Sequence, residues 1–178
     1  MIYNIDCRYL QILYIDRGIC KHMVESGKEF IMENVLSLRK KMTQRQLDQE
    51  MEKIGEFLQS NGATQAGPIV TVTFSIETKN EEPLLDMEIL VPMDKELELS
   101  GDYVFKPLFK VTNAVYARHK GNPAKLQNTY NEMLSFIQEN NLQQITVGYN
   151  VLINEPMPGL TLDDMIIDVY IGINPNIL

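Results

Sequence analysis

Two stretches of this chain carry the same pattern 79 positions apart, and that duplication limits what the chain can fold into more than any other feature. LSLRKKMTQRQLDQEMEKIGEFLQSNG, from Leu36 to Gly62, lies over VYARHKGNPAKLQNTYNEMLSFIQENN, from Val115 to Asn141. Arg39 falls on Arg118, Lys41 on Lys120, Leu47 on Leu126, Phe57 on Phe136, Gln59 on Gln138 and Asn61 on Asn140. Met51 with Tyr130 and Ile54 with Met133 match in kind. One supersecondary unit used twice predicts two similar halves, with function at their junction.

The first unit begins with a strand over Glu29 to Lys41, where Leu36 and Leu38 alternate with Ser37 and Arg39 at the two-residue period of a half-buried strand. Thr43 and Gln46 then have the spacing of a capping box, in which each side chain satisfies a backbone N–H at the start of a helix. Leu47, Met51, Ile54, Phe57 and Leu58 follow as an apolar stripe, and Asn61-Gly62 stops the helix. Two strands come next, Ile69 to Ile76 and Asp86 to Met93, joined by the polar segment Glu77 to Glu82 with Pro83. Lys95 to Asp102 is a patternless join. Tyr103 to His119 is the second unit's first strand, expected to break near Pro107, which has no N–H to give a ladder. Asn122-Pro123 opens its helix, with Leu126, Tyr130, Met133, Leu134 and Ile137 as the stripe. Val147 to Ile153 and Asp164 to Ile173 answer the paired strands of the first unit.

The expectation is an α+β fold: two strand-helix-strand-strand repeats, residues 27–93 and 103–173, forming a mostly antiparallel sheet with the helices on one face and a cleft on the other. Residues 27–178 make one domain. Residues 1–26 are an N-terminal extension in which Tyr9 to Tyr14 and Gly18 to Met23 add an edge strand or short helix.

Sixteen basic against 24 acidic residues give a net charge of −8, with no basic cluster longer than Arg39-Lys40-Lys41. Phosphate neutralisation drives nucleic-acid binding, so such a chain is a poor candidate for it. No apolar run approaches the roughly 20 residues that span a bilayer, and the N-terminus lacks a signal-peptide pattern, which makes the cytoplasm the default location and a membrane no partner. Cys7 and Cys20 read as reduced packing thiols. No His/Cys/Asp group has metal-ligand spacing, and no motif implies a cofactor. His119 reads as a strand-end histidine with a backbone hydrogen bond.

His119-Lys120-Gly121 at a strand end, Leu126 and Tyr130 on the following helix, and the turn Asn154-Glu155-Pro156 occur in an order that resembles the GyrI-like family. This is the duplicated strand-helix-strand-strand domain also found as the effector-binding half of multidrug-sensing transcription regulators. The strand DMEILVPM resembles that family's acidic-then-proline strand. The resemblance implies a cleft between the halves for amphipathic, often cationic, organic molecules; other members inhibit DNA gyrase or are assigned hydrolase activity. No helix-turn-helix fits in the 26 residues ahead of the domain, which implies a stand-alone module.

One departure stands out. The family places a buried Glu, and an aromatic two residues on, on the strand leading into that turn, and here those positions are Asn150 and Leu152. An amide carries no charge to offset a cation and no pKa useful to a general base. The expected cleft residues are Thr71, Thr73 and Glu88 from the first unit and Tyr116, Arg118, Asn150, Leu152, Asp168 and Tyr170 from the second, with Phe105 as stacking surface. Val70, Val72, Phe74, Tyr149, Val151 and Ile153 are expected under the helices. Glu88 or Asp168 would replace the missing Glu as counter-charge, or pair with Arg39 and Arg118. The leading expectation is a non-enzymatic binding domain for an amphipathic small molecule. A second is a protein-interaction factor meeting gyrase or a secreted toxin, since EFIMENVLSLRKKMT and FKPLFKVTNAVYARHK resemble a bacterial group linked to type VII secretion toxins. A small-molecule hydrolase is third. Oligomeric state is open.

Overall fold

The computed structural model describes residues 23–79, 82–154 and 161–176. Tyr9 to Tyr14, Cys7, Cys20, nearly all of Gly18 to Met23, and Glu155-Pro156 of the turn motif lie outside the described residues. The elements run β1 (Glu25–Met42), α1 (Gln44–Ser60), β2 (Val70–Lys79), β3 (Glu82–Pro92), β4 (Tyr103–Lys120), α2 (Leu126–Glu139), β5 (Gln144–Leu152) and β6 (Ile166–Ile173). Thr43 makes the expected capping box with Gln46 at the start of α1. Asn122 caps a 3₁₀ turn at Pro123–Lys125 that leads into α2.

Every strand pairs antiparallel on both edges, in the order β1-β3-β2-β5-β6-β4 and back to β1. The sheet therefore closes into a barrel, where an open face with a cleft was expected. Three apolar clusters sort themselves accordingly. Leu36, Leu38, Met87, Ile89 and Val91 pack under Leu47, Ile54 and Leu58 of α1. Val115, Ala117, Ile167, Val169 and Ile171 pack under Met133 and Ile137 of α2. The third cluster draws on all six strands and neither helix: Met32 and Val35 with Val70, Val72, Leu90 and Val151, flanked by Phe30, Phe74, Phe109, Tyr149 and Tyr170. That cluster fills the barrel, and the helices lie outside it.

β4 runs unbroken through Pro107. Its partner strand explains why: the ladder pairs Glu33 with Leu108 and Val35 with Lys106, passing over the proline. The residue between, Asn34, has φ 50, and its carbonyl accepts from Met93 N–H instead. Asn113, 79 positions on, has φ 51. Each asparagine marks the place where a long strand starts pairing with the last strand of its own half: β1 meets β3 from Val35, and β4 meets β6 from Ala114. Asn tolerates the left-handed conformation that a β-branched residue resists.

Replacing Asn34 with Val should cost about 1–2 kcal/mol, the penalty for a Cβ in left-handed backbone, while Gly at the same position should come within a few tenths of wild type. Urea unfolding measures both. A Val variant as stable as the Gly variant would show that the bend does not constrain β1.

Candidate functional site

Residues directly opposite one another in an antiparallel ladder share a face, so the register assigns each expected site residue. Val72 stands opposite Glu88 on one side and Tyr149 on the other. Tyr149 stands opposite Tyr170, Tyr170 opposite Tyr116, and Arg118 opposite Asp168. Glu88, Tyr116, Arg118, Asp168 and Tyr170 are thus brought together inside the barrel. Thr71 stands opposite Ile89 and Asn150, and Leu152 opposite Ile167, which places these side chains on the outer, helix-bearing face. Thr73 shares that face through Met87, and Phe105, opposite Leu36, packs against the α1 cluster. The expected split was inverted on β2 and β5: Val70, Val72, Phe74, Tyr149 and Val151 point inward, away from the helices. The alternation showed which residues share a face but not which face closes on itself.

Inside the barrel, Glu88 and Asp168 are 8% and 5% exposed. The two are equivalent by register, since Arg39 stands opposite Glu88 as Arg118 stands opposite Asp168. Their partners differ. Arg118 grips Asp168 through Nε at 2.7 Å and a terminal nitrogen at 2.8 Å, and the Tyr116 hydroxyl donates to the same carboxylate at 3.0 Å. The hydrogen bond from Arg118 to Asp168 holds the guanidinium pKa well above its ordinary range. Arg39 instead turns to Asp86, at 3.2 and 3.0 Å, and lies over the Phe74 ring. Half-buried rings line the same space: Tyr170 lies 5.1 Å from Tyr116 and 5.2 Å from Phe30, and Phe109 lies 5.4 Å from Tyr149.

The outer face holds a different kind of space. β2 and β5 pair over only three rungs, Val70 with Val151, Thr71 with Asn150 and Val72 with Tyr149. Beyond them the strands splay, and a groove of about 390 Å³ opens between the two halves. Thr73, Phe74, Ser75, Ile76 and Leu85 line one side, and Gln127, Tyr130, Leu134, Gly148 and Asn150 the other. On its α2 side the Tyr130 hydroxyl donates to Asn150 Oδ1 at 2.7 Å. A Cβ on Gly148 would overlap the Tyr130 ring, so glycine is what lets the ring settle there. The corresponding positions 79 earlier, Met51 and Ile69, pack against the α1 cluster. Leu134, expected in the buried stripe, is 42% exposed on the groove, and Thr129 is buried in its stead.

His119 lies under Thr129. Its Nδ1 is 2.9 Å from the Thr129 hydroxyl and its Nε2 is 3.1 Å from the Asn122 carbonyl. A carbonyl only accepts, so Nε2 carries the proton, and the ring ties β4 to α2. Asn154 ties β5 to β6 by accepting from Ile166 N–H and donating to the Asp164 carbonyl. Both motif residues have structural work. Among the described residues no group of His, Cys, Asp and Glu is placed to hold a metal ion, and no helix is long and apolar enough to cross a membrane. Sequence reasoning missed most of the groove, although two signals pointed to it: a lone glycine in a strand at Gly148, and a tyrosine where the first half has Met51.

No family model matches the chain, and no curated protein sequence matches it. Solved structures share its fold. The chain superposes on EcmrR in its complex with DNA with a TM-score of 0.73 at 19% identity, covering 93% of this chain and 62% of that one. Against the EcmrR C-terminal domain the TM-score is 0.72 at 17% identity, covering 86% and 98%. A hydrolase from Listeria innocua gives 0.54 at 14% identity, covering 94% and 98%. At these identities the likeness is one of fold: the chain has the fold of the EcmrR C-terminal domain and spans about three-fifths of the longer EcmrR chain.

Burial pushes the Tyr130 phenol up to about 12, and burial followed by the Asp168 charge pushes Tyr116 up to about 12. A phenol raised on folding contributes stability that is fully present below its unfolded value of about 10 and is lost as pH rises through the folded one. Absorbance titration should resolve a late-ionising phase near that value, and Tyr130→Phe should diminish it; an unchanged late phase would contradict the burial of this ring. Removing Arg118 leaves Asp168 buried with Tyr116 alone, whereas in Asp168→Asn the half-exposed Arg118 turns to water. Arg118→Ala should therefore cost about 1–3 kcal/mol in urea unfolding and Asp168→Asn less. The reverse order would contradict this placement of the pair.

Proposed function

We propose that the chain is a non-enzymatic binding domain for a neutral amphipathic small molecule, held in the groove between β2 of the first half and β5 and α2 of the second. The observation that carries the reading is the groove itself. It has the size of small-ligand sites, which are mostly apolar with a few placed polar groups. Its walls offer Ile76, Leu85 and Leu134 for an apolar body, and its polar groups are the Tyr130–Asn150 pair, Thr73 and Gln127. None of the lining residues is ionised at neutral pH. A cation would enter without a counter-charge, so the groove favours neutral ligands over the cations that the family resemblance suggests.

Binding is favoured over turnover by the same residues. Asn150 has no proton to exchange near neutrality, and a phenol held at about 12 is a poor general base. The likeness to the C-terminal domain of EcmrR, seen in complex with DNA as a longer chain, is in keeping with an effector-binding role.

Titration with the neutral solvatochromic dye Nile red tests the proposal. Wild-type protein should bind it and gain thermal stability, by about 2.7 kcal/mol at a free dye concentration a hundred times Kd. Thr73→Trp, which adds bulk on the outer face where Thr73 lines the groove, should weaken binding by at least about tenfold. Equal binding by wild type and Thr73→Trp, or none by wild type, would overturn it.

A further inference from the structure

Tyr130, Gly148 and Asn150 stand where the first half has Met51, Ile69 and Thr71. Met51 and Ile69 fill the space between helix and sheet with apolar packing, so the fold itself does not require a polar pair at this place. The second half gives up a side chain at Gly148 to seat the Tyr130 ring, a loss that weakens a strand. The ring then carries its hydroxyl to Asn150 Oδ1, 2.7 Å away. Asn150 occupies the middle of the three rungs that join the halves, directly opposite Thr71. Three departures from the repeat thus converge on one amide, where the seam meets the groove.

The hydrogen-bonding capacity of that amide is only partly used. Oδ1 takes the Tyr130 proton, which fixes the orientation of the carboxamide and leaves Nδ2 with two N–H donors. No group among the described residues accepts from Nδ2. Nor is it sealed in, because among the described residues no buried side-chain nitrogen or oxygen is left without a partner. Nδ2 therefore reaches solvent, and the solvent on this face is the groove that Asn150 lines. The Tyr130 oxygen keeps lone pairs after giving its proton to Asn150. Burial holds that phenol at about 12, so it stays protonated and uncharged at neutral pH. A donor and an acceptor, both neutral, stand next to each other on one wall. Their complement is an acceptor and a donor on adjacent atoms, which is the C=O and N–H edge of a cis amide.

We infer that Asn150 and Tyr130 recognise a lactam or other cis amide, with Asn150 Nδ2 donating to its carbonyl and Tyr130 Oη accepting from its N–H. This rests on the groove reading and narrows it from neutral amphipathic molecules at large to those with that polar edge. The body of the ligand lies against Leu85 and Leu134. A ketone of the same shape satisfies the asparagine but covers the tyrosine oxygen without giving it a proton, and sites built to hydrogen-bond a ligand N–H reject analogues that lack it.

Calorimetric titration with the bicyclic aryl lactam dihydrocarbostyril, against 2-tetralone, in which CH₂ replaces the N–H, tests this. Wild type should bind the lactam at least about tenfold tighter than the ketone, and Tyr130→Phe should bring the two within about twofold. Equal affinities in wild type, or a preference that survives Tyr130→Phe, would overturn the inference. Thr73→Trp should weaken lactam binding; undiminished affinity there would place the lactam outside the groove and overturn it as well. Should Tyr130→Phe fail to fold, isotope-labelled wild type decides: saturating lactam moves the side-chain NH₂ resonances of Asn150, and unmoved resonances overturn the site. Nile red separates this inference from the reading beneath it. Wild type that binds the dye without preferring the lactam sinks the amide specificity alone, whereas binding of neither sinks the groove with it.

Discussion

The structure depends on three rungs of backbone pairing between β2 and β5. Without them the two halves would share one open sheet joined only through β1 and β4, and the inward side chains of every strand would face water. With them the sheet has no free edge, Val70, Val72 and Val151 become fully buried, and the carboxylates of Glu88 and Asp168 are enclosed with their partners. The shortness of the same seam matters as much as its presence. Past Val72 and Tyr149 the strands part, and the groove is the gap they leave.

The two halves share a plan and differ where it counts. In the first, Met51 and Ile69 fill the space between helix and sheet; in the second, Tyr130 leans over Gly148 to reach Asn150. The first half leaves its buried carboxylate to a lysine borrowed from the second, which keeps its own arginine for Asp168. Departures of this kind from an otherwise matched pattern cost packing or charge pairing, and they cluster at the groove and at the Glu88 end of the barrel.

Much of the architecture was legible in the sequence. The capping box at Thr43, the Asn122-Pro123 helix start and the alternation of Leu36 and Leu38 are local signals, and each produced its element. The site was less legible because it depends on long-range pairing. On β2 the valines and threonines alternate cleanly, so Thr71 and Asn150 were grouped together, but only the pairing of Val72 with both Glu88 and Tyr149 says that their group faces the helices. A strand's side-chain period reports the grouping and is silent on which side becomes the interior. Likewise Pro107 argued for a break because the left-handed turn at Asn34 that accommodates it lies 73 residues away in sequence. Lys106 carries no sequence signal at all; it matters through the carboxylate it reaches.

On the proposed reading, ligand binds where the seam parts, between the halves and outside the barrel. Amide chemical-shift mapping on addition of Nile red tests it most directly. Shifts should concentrate on Thr73 to Ile76, on Gln127 to Leu134, and at Gly148 and Asn150, with the amides of Ser37, Glu88 and Asp168 little moved. Shifts centred on those interior residues, or spread without a focus, would contradict it.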